Sequence, residues 1–556
     1  MQKTTIIMKR RLFWILLLIE AALFLITAKV MYIQIYKAEE YQKMAYEQQT
    51  RDRLISPKRG NIYDRNSQEL AVSETVGSVS VIHAQIKDEE KTAKILAEKL
   101  DMEYDTVLKK VQKRVALERI KTKVDKNTAD EIRKMNIPGV AVDEDIKRIY
   151  PYKNLASQVI GFVGKDNQGI IGLEAKYEEY LRGEKGKIMT ETDARGRKID
   201  SGKEVRIPPT DGYNIITSID ATVQMFAEQT IEKAVEYKEA KRGTIIVMNP
   251  QNGEIYAMAN KPDFDPNEPF KINKEELESI WSGLGEKERN DALNKMWRNF
   301  AINDTYEPGS TFKVITSATG LESGNVSISD TFDCAGGRMV AGRYIKCWRS
   351  PRSHGTLTFA QGVQNSCNPV FMDIAQRVGS KTFYEYMLKF GFDKKTGIDL
   401  PGEAVGIMHK QDKIGPVELA TMSFGQSFQI TPLQLLRACS CVINGGNMIT
   451  PHFATEARDS FGNTVKVFEY KKEENVISGK TSETMKEILE SVVSEGTGNK
   501  TYIPGYRLGG KTATSEKLPR RSGKYIASFM SFAPANDPKV IALVLIDEPQ
   551  GECDII

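Results

Sequence analysis

The stretch EPGSTFKVIT, residues 307–316, places a serine and a lysine three residues apart directly after a Pro-Gly corner. The apolar residues that follow predict a helix that begins near Ser310 and ends at Gly324. Positions i and i+3 share a helix face, so the Lys313 amine is within reach of the Ser310 hydroxyl. A buried lysine loses its charge more easily, and a neutral amine can act as general base toward a serine. Alone, S-x-x-K is weak evidence, because helices contain the pattern by chance.

Known serine sites built on S-x-x-K combine it with a second box of the form S-x-N and a third box that begins with lysine. This sequence offers two candidates for the second box. The Ser-Gly-Asn at 323–325 lies on the same helix as Ser310 and would be about 20 Å away at a rise of 1.5 Å per residue. The Ser-Cys-Asn at 366–368 lies in a loop, and the proline that follows it suits the first position of a new helix. We therefore select Ser366 as a proton relay and Asn368 as a ligand for a substrate amide. Helix N-capping is the alternative role for both residues.

Two lysine boxes compete as the third part. The Lys-Thr-Gly at 395–397 lies in a turn-rich context, FDKKTGIDLPGE, without a strand pattern. The Lys-Thr-Ala-Thr at 511–514 follows two glycines and opens a run of three predicted strands. An edge strand can pair with a peptide-like substrate, and it supplies a cation and a backbone N–H for an oxyanion. We therefore select 511–514. This box has Ala513 where the Lys-Thr-Gly pattern has glycine, and the added methyl group could narrow the cleft or alter substrate preference.

The remaining pattern predicts a multi-domain α+β protein. GTIIVMNPQNGEIYAMAN, residues 243–260, has the form of a β-hairpin, residues from about 280 to 500 are mostly helical, and strands return after 505. This indicates a five-stranded antiparallel sheet interrupted by a large helical insert. Residues 75–215 mix strands with charged helices and contain no chemistry-bearing cluster, which indicates an elongated non-catalytic module.

The N-terminus predicts a single membrane anchor. LFWILLLIEAALFLITA, residues 12–28, continues into KVMYIQI and reaches the roughly 20 residues that a span needs. Basic residues at 9–11 precede it and place the N-terminus in the cytoplasm, with the catalytic part outside the cytoplasm. A cleaved signal peptide is the alternative. Glu20 is either a contact with a partner helix or a tolerated acid.

Net charge and cysteine content bear on three other features: nucleic-acid binding, a metal site and a disulfide. A net charge of +4 and a pI of about 8.4, without a basic patch interleaved with aromatics, give no indication of nucleic-acid binding. The six cysteines form no CxxC and the four histidines are scattered, so no metal site is expected. Outside the membrane a disulfide is permitted, and Cys334 and Cys347 flank a short predicted hairpin. Either they are bridged or they are two unpaired thiols.

Together the three boxes resemble those of the class B penicillin-binding proteins, which are peptidoglycan D,D-transpeptidases. The resemblance covers nearly all of 10–550 and extends to four further segments: RGNIYDRNSQELA (59–71), GLEAKYEEYLRG (172–183), GFDKKTGIDLPGE (391–403) and SFGQSFQITPLQLLRACSCVINGG (423–446). The stretch 345–355 and the cysteine pair resemble the sporulation-type branch, whose members act on spore cortex. The sequence leaves open a role in cell division, cell shape or sporulation.

The resemblance implies a set of domains: a cytoplasmic tail (1–11), a transmembrane anchor (12–35), a pedestal of the penicillin-binding-protein dimerisation type (36–215) and a transpeptidase domain (216–556). The chain ends at DEPQGECDII, so the last domain is expected to lack the C-terminal helix usual in the family. The implied partners are peptidoglycan stem peptides ending in D-Ala-D-Ala, β-lactams, a membrane-embedded glycan polymerase, and division or spore-wall machinery. No metal or organic cofactor is implied.

The resemblance also implies roles for individual residues. Ser310 attacks the D-Ala–D-Ala carbonyl, Lys313 is its base, and a neighbouring stem peptide then takes the acyl group. Ser366 and Lys511 are implied to shuttle protons. Asn368, with Thr512 or Thr514, is implied to orient the substrate. The backbone N–H groups of Ser310 and Thr514 are implied to form an oxyanion hole. The alternatives are a D,D-carboxypeptidase or β-lactamase-type hydrolase, or an impaired scaffold that binds β-lactams.

Overall fold

The computed structural model describes residues 6–191, 204–273, 278 and 280–551. By mutual packing the chain divides into two compact units. The first consists of Met1–Pro57, Val76–Asp145 and Glu184–Thr210, and the second of Lys58–Thr75, Ile146–Gly183 and Asp211–Ile556. The boundaries suggested by the sequence, at 35/36 and 215/216, remain predictions.

The described α-helices, in chain order, are α1 Ile6–Ile35, α2 Ala38–Gln49, α3 Glu89–Leu100, α4 Tyr104–Val111, α5 Lys126–Lys134, α6 Ser157–Ile160, α7 Gly172–Lys176, α8 Glu178–Leu181, α9 Ala221–Tyr237, α10 Glu286–Trp297, α11 Phe300–Asn303, α12 Lys313–Glu322, α13 Phe359–Gln364, α14 Asn368–Val378, α15 Ser380–Lys389, α16 Pro416–Met422, α17 Pro432–Ile443 and α18 Gly479–Ser494. The described strands are β1 Thr50–Ile55, β2 Ile62–Tyr63, β3 Glu69–Val81, β4 Glu118–Val124, β5 Val140–Ile149, β6 Gly186–Glu191, β7 Glu204–Ile207, β8 Asn214–Thr217, β9 Arg242–Met248, β10 Ile255–Lys261, β11 Thr331–Cys334, β12 Gly337–Val340, β13 Arg343–Lys346, β14 Gly355–Thr358, β15 Ala454–Arg458, β16 Thr464–Val467, β17 Gly509–Glu516, β18 Tyr525–Ala533 and β19 Val540–Asp547.

In the first unit, helix α1 is the one described helix that is long and apolar enough to cross a membrane. It includes the predicted span at residues 12–35. Elsewhere in the unit, β1, β6 and β7 form an antiparallel sheet, while α3, α4 and α5 enclose a small core with the end of β3 and with β4. Helix α3 begins where the Asp88 carboxylate accepts a hydrogen bond from the backbone N–H of Lys91, a normal N-cap.

The second unit is built on an antiparallel sheet with the order β10-β9-β19-β18-β17. This confirms the predicted five-stranded sheet, whose first two strands and last three strands flank the helical insert. Among the described residues, strand β17 lies at one edge of the sheet and pairs on one side only, with β18, from Gly509↔Phe532 to Glu516↔Tyr525. The free edge of β17 is therefore available to a further extended segment. Shorter sheets in the helical insert, β11-β14 and β12-β13, go beyond the single hairpin that the sequence predicts there.

Helices pack against the central sheet from the insert and from the segment before β9. Helix α9 begins at Asp220, whose carboxylate accepts from the N–H groups of Thr222 and Val223, and it buries Ile231 against β9. Helix α12 is buried from Lys313 to Gly320 on all sides. This stretch of the helix has no solvent face, so the Lys313 side chain is desolvated.

A buried ion cluster joins two of the segments that carry the family resemblance. Arg59 Nε donates to Glu174 Oε2 at 2.6 Å, and Arg148 Nε donates to Glu174 Oε1 at 2.7 Å. Burial opposes ionisation of Glu174, but the two guanidinium groups outweigh it and hold its pKa below the ordinary value. The Tyr150 hydroxyl also donates to Glu174 Oε1, at 3.2 Å. The cluster thus ties Lys58–Thr75 to Ile146–Gly183 within the second unit.

Candidate active site

Ser310 lies in a 3₁₀ turn, Gly309–Phe312, that leads directly into α12. Gly309 has φ +59°, a left-handed conformation that favours glycine, and its N–H donates to the Gly425 carbonyl at 2.9 Å. Phe312 is fully buried beside Phe428, with ring centroids 4.7 Å apart. The turn is therefore fixed on both sides of the serine, and Ser310 itself is half-buried at the mouth of a cleft.

Lys313 projects from the first turn of α12 into a fully buried position. Its Nζ donates to the Ser366 carbonyl at 2.7 Å and to Asn368 Oδ1 at 2.7 Å, and lies 3.2 Å from Ser366 Oγ. Burial lowers the pKa of Lys313 to about 7, although the neighbouring Cys367 and Cys347 oppose the shift. At neutral pH a large fraction of this amine is uncharged and able to accept a proton.

The Ser-Cys-Asn segment at 366–368 connects α13 to α14. Ser366 has φ +51°, an uncommon conformation for a residue with a side chain, and it is held there by the Lys313 contacts. Asn368 opens α14 and Pro369 occupies the first turn, as the sequence predicts. Asn368 Nδ2 also donates to the Lys346 carbonyl at 3.2 Å. Both polar side chains of this segment face the cleft.

The selected lysine box occupies edge strand β17. Lys511 is fully buried, and its Nζ donates to the Thr512 carbonyl at 3.0 Å. Burial holds the pKa of Lys511 well below its ordinary value, and the nearby Lys313 adds to the effect. The residues Thr512, Ala513 and Thr514 line the cleft. Thr512 Oγ1 lies 3.3 Å from Thr497 Oγ1.

The cleft has a volume of about 290 Å³. Of the predicted site residues, Ser310, Ser366, Asn368, Thr512, Ala513 and Thr514 line it, while Lys313 and Lys511 lie buried next to these residues. Sequence reasoning missed several lining residues, among them Trp348, Phe424, Gln426, Thr497 and Phe529. Trp348 falls in the stretch 345–355, and Phe424 and Gln426 fall in the segment 423–446, which the sequence distinguishes only by family resemblance. No sequence signal distinguishes Thr497 and Phe529.

The rejected boxes lie elsewhere in the fold. The Ser-Gly-Asn at 323–325 follows the end of α12, at the opposite end of the helix from Ser310. The Lys-Thr-Gly at 395–397 forms a turn, in which the N–H of Thr396 donates to Glu403 Oε1 at 2.7 Å. Neither belongs to the cleft.

The structure bears on both expectations for the cysteines. Cys334 and Cys347 are free thiols, which is the second of the two alternatives that the sequence leaves open. Both sulfurs instead approach His354 Nδ1, at 3.5 and 3.6 Å, and Cys367 joins the same cluster. The expectation of no metal site rests on the absence of a CxxC and on the scattered histidines, and it stays a prediction. The fold gathers four metal-ligating side chains from separate segments, which no local spacing reveals.

The arrangement can perform acyl transfer. It combines the half-buried Ser310 hydroxyl, a buried amine of lowered pKa one turn later at Lys313, and a strand edge, β17, that lies against the turn before Ser310. Nucleophile, base and oxyanion donors on rigid elements are the parts that a serine acyltransferase needs.

Two family models match the chain. The penicillin binding protein transpeptidase domain matches residues 243–554, and the penicillin-binding protein dimerisation domain matches residues 54–217. Stage V sporulation protein D of Bacillus subtilis (strain 168) is 38% identical over 562 residues, covering 99% of this chain and 83% of that protein. Peptidoglycan D,D-transpeptidase FtsI of Escherichia coli (strain K12) is 28% identical over 547 residues, covering 95% of this chain and 86% of that protein.

The crystal structure of Penicillin Binding Protein 2X from Streptococcus thermophilus has the same fold, with a TM-score of 0.74 and 23% identity. The match covers 91% of this chain and 78% of that one. The resemblance drawn from the three sequence boxes is confirmed, since the family match spans more than half of the chain. The chain belongs to the penicillin-binding protein transpeptidase family.

Proposed function

We propose that this protein is a peptidoglycan D,D-transpeptidase that works through a serine acyl-enzyme. The observation that carries the proposal is the contact between the buried Lys313 amine and the Ser366–Asn368 segment, at the base of a cleft bounded by Ser310 and β17. The proposal is supported by family membership and by relatives named for sporulation and for D,D-transpeptidation.

In the first half-reaction Ser310 Oγ attacks the carbonyl of the penultimate D-Ala of a stem peptide. Neutral Lys313 takes the hydroxyl proton, and the C–N bond to the terminal D-Ala breaks as the acyl–oxygen bond forms. Ser366 and Lys511 pass a proton to the departing amine. Burial lowers the pKa of Lys313 to about 7 and holds the pKa of Lys511 well below its ordinary value, so both amines release a proton more readily than an exposed lysine does.

The substrate is held as an added strand. The stem peptide pairs with the free edge of β17, and Asn368 with Thr512 or Thr514 orients its amides. The backbone N–H groups of Ser310 and Thr514 donate hydrogen bonds to the oxyanion as it develops. In the second half-reaction the amine of a neighbouring stem peptide attacks the ester carbonyl, which releases Ser310 and forms the cross-link. A β-lactam enters the same cleft and remains as an ester of Ser310.

Helix α1 anchors the protein in the membrane, with residues 1–11 in the cytoplasm and the catalytic unit outside. The support is the basic run at 9–11 before the apolar segment. A glycan polymerase in the same membrane is a fitting partner, and Glu20 within α1 is the candidate contact. Co-purification of the polymerase with a Glu20→Leu variant tests this contact, and undiminished recovery contradicts it.

The test is labelling of the full-length chain in detergent with a fluorescent penicillin, followed by intact-protein mass. Wild type gains one adduct, and Ser310→Ala gains none. Ser323→Ala is the matched control, because it removes the serine of the rejected box on the same helix. Equal labelling of Ser310→Ala and wild type overturns the proposed nucleophile. Incubation with stem peptides then separates activities: a cross-linked dimer indicates transpeptidation, and free D-Ala without dimer indicates a carboxypeptidase.

A further inference from the structure

Four metal-ligating side chains meet next to the cleft. They are Cys334, Cys347, His354 and Cys367, and their ligand atoms all lie within 4.8 Å of one another. Each comes from a different place in the fold. Cys334 ends β11, Cys347 follows β13, His354 precedes β14, and Cys367 stands between Ser366 and Asn368.

The spacing of the atoms suits a tetrahedral ion. With Zn–S bonds of about 2.3 Å and Zn–N bonds of about 2.0–2.1 Å, a tetrahedral angle separates a ligand sulfur and nitrogen by about 3.5 Å. The observed distances from His354 Nδ1 are 3.5 Å to Cys334 Sγ and 3.6 Å to Cys347 Sγ. His354 thus presents Nδ1 to the sulfurs, and its other ring nitrogen can keep the proton of a neutral ligand.

The surroundings and the donor set favour one metal. All three cysteines are buried, with exposures of 2% for Cys334, 2% for Cys347 and 0% for Cys367. Three thiolates and one imidazole select zinc, whereas magnesium and calcium require oxygen ligands. Four protein ligands fill a tetrahedral coordination shell and leave no open position, which is the pattern of structural zinc sites.

We propose that Cys334, Cys347, His354 and Cys367 bind a structural zinc ion that fixes the Ser-Cys-Asn segment of the active site. Binding converts the thiols to thiolates and releases their protons, while the imidazole stays neutral. The ion joins the segment that carries Ser366 and Asn368 to the hairpin β12–β13 and its flanks. No ligand is among the residues that line the cleft, so the ion is a positioning element and takes no part in acyl transfer.

Other contacts also join the hairpin β12–β13 and its flanks to the elements around the Ser366–Asn368 segment. Arg338 on β12 pairs with Asp373 on α14, and Trp348 Nε1 donates to the Asn365 carbonyl at 3.0 Å. Trp348 lies next to Cys347 in sequence and lines the cleft. The zinc ion would therefore hold Trp348 and the Ser366–Asn368 segment in fixed positions on the same side of the cleft.

A disulfide between two of these cysteines is the competing state. It uses the same sulfurs as the metal, so the two states exclude each other. The distinction is measurable, because a disulfide lowers the protein mass by two hydrogens and leaves too few thiolates for a closed site.

The test uses the full-length chain, purified in detergent with a reductant and without chelators. Metal analysis is expected to give about one zinc per wild-type chain. Cys334→Ser and His354→Ala lose that zinc, and Cys439→Ser retains it. Cys439 is the matched control because it is a buried thiol in α17, outside the cluster. Reduced wild type that binds no more zinc than Cys334→Ser overturns the proposal, as does a disulfide that persists under reductant.

A second measurement does not depend on variant folding. Cobalt added to zinc-free wild type is expected to give the strong visible bands of a tetrahedral, thiolate-bound ion, and the weak spectrum of an octahedral ion contradicts the site. These two readouts do not depend on the proposed activity. Removal of zinc is also expected to slow penicillin acylation of Ser310 by roughly tenfold, since supporting contacts of this kind have effects of that size. An unchanged rate with zinc absent contradicts the positioning role.

Discussion

Lys313 Nζ and Asn368 Oδ1 are joined by a 2.7 Å hydrogen bond, although 55 positions separate the two residues in the chain. The bond connects the S-x-x-K box to the S-x-N box and directs the lysine amine toward the cleft. Because Asn368 supplies a neutral oxygen rather than a carboxylate, it holds the amine without adding a negative charge that would strongly favour the ammonium form.

The first prediction concerns the pH dependence of acylation. Burial lowers the pKa of Lys313 to about 7, and only the neutral amine can take the Ser310 proton. The acylation rate with a chromogenic β-lactam is therefore expected to rise with pH, to reach half its maximum near pH 7, and to level off above that. Below the inflection it falls about tenfold per pH unit, as for any single protonation.

Lys313→Arg provides the control for this profile. Arginine keeps the charge but stays protonated at all accessible pH values, so acylation is expected to fall by at least about 10²-fold on the plateau above pH 7, and the difference from wild type is expected to shrink toward pH 5. Stopped-flow measurement of both proteins over pH 5 to pH 10 tests the point. A wild-type rate that shows no inflection near pH 7 and still rises at pH 10, as for an ordinary lysine with a pKa of 10.5, contradicts the role of burial.

The second prediction concerns Gly309, the residue before the nucleophile. A Cβ at this position would lie 3.1 Å from Ser515 Cβ, in a backbone conformation with φ +59°. Gly309→Ala is expected to lower the free energy of unfolding by about 1–2 kcal/mol from backbone strain. It is also expected to slow acylation tenfold or more, because a small displacement of the Ser310 N–H and Oγ disturbs the reacting geometry, an effect that can reach about 10² for 1 Å.

Gly324→Ala is the control that separates the cost of backbone strain from any displacement of Ser310. Gly324 has φ +69°, yet a Cβ there would meet no atom within 4 Å. A comparable loss of stability with unchanged acylation is expected. If Gly309→Ala acylates as fast as Gly324→Ala, the close approach to β17 does not set the position of Ser310.

The active-site boxes could be predicted because local pattern and chemistry restrict each choice. The sequence favours Lys511 over Lys395 because only the 511–514 box opens a strand pattern, and the structure places that box on edge strand β17. It favours Ser366 over Ser323 because the rise of a helix puts Ser323 too far from Ser310. In each case one physical rule eliminated the competitor.

The cysteine cluster and the buried ion cluster could not be predicted in the same way. The four potential metal ligands lie at the ends of β11, β13 and β14 and at the start of α14, and only tertiary packing brings them together. Likewise, Arg59 and Glu174 come from segments 115 positions apart, each noticed only as a motif. Sequence periodicity detects contacts within one helix or strand, and neither cluster is of that kind.

The third prediction concerns the buried ion cluster around Glu174. Glu174→Gln leaves the buried Arg148 guanidinium without its described counter-charge and leaves Arg59 with only the partly exposed Glu178. Breaking a buried ion pair in this way costs about 3–5 kcal/mol. The free energy of unfolding is expected to fall by that amount. Glu178 also pairs with Arg59, at 2.6 Å, but its side chain is 30% exposed. Glu178→Gln is the control and is expected to cost about 1 kcal/mol or less. Urea unfolding followed by fluorescence measures the free energy of unfolding of both variants. Equal losses would contradict the claim that the buried pair costs more to break than the partly exposed pair.

The fourth prediction concerns Glu228 on α9, a buried carboxyl group that accepts hydrogen bonds from Ala156 N–H at 2.7 Å and Gln224 Nε2 at 2.6 Å. Burial raises its pKa from 4.5 to about 7 against these two hydrogen bonds, while Asp263 raises it further and Lys261 lowers it. Below pH 4.5 the group is protonated in both the folded and the unfolded chain. As the pH rises toward 7, the unfolded chain ionises first, so the stability contribution of the protonated group is lost across that window.

Glu228→Gln keeps the accepting oxygen and removes the titration. At about 1.4 kcal/mol per pKa unit, the variant is expected to be more stable than wild type at pH 8 by up to about 3 kcal/mol, with the advantage shrinking toward zero near pH 4.5. Thermal unfolding at both pH values measures the difference. Glu232→Gln is the control, because this residue lies one turn further along α9 with a side chain that is 48% exposed, and it is expected to show no such dependence. An advantage of Glu228→Gln that is constant with pH would mean that the carboxyl group ionises in the folded protein as it does in the unfolded chain.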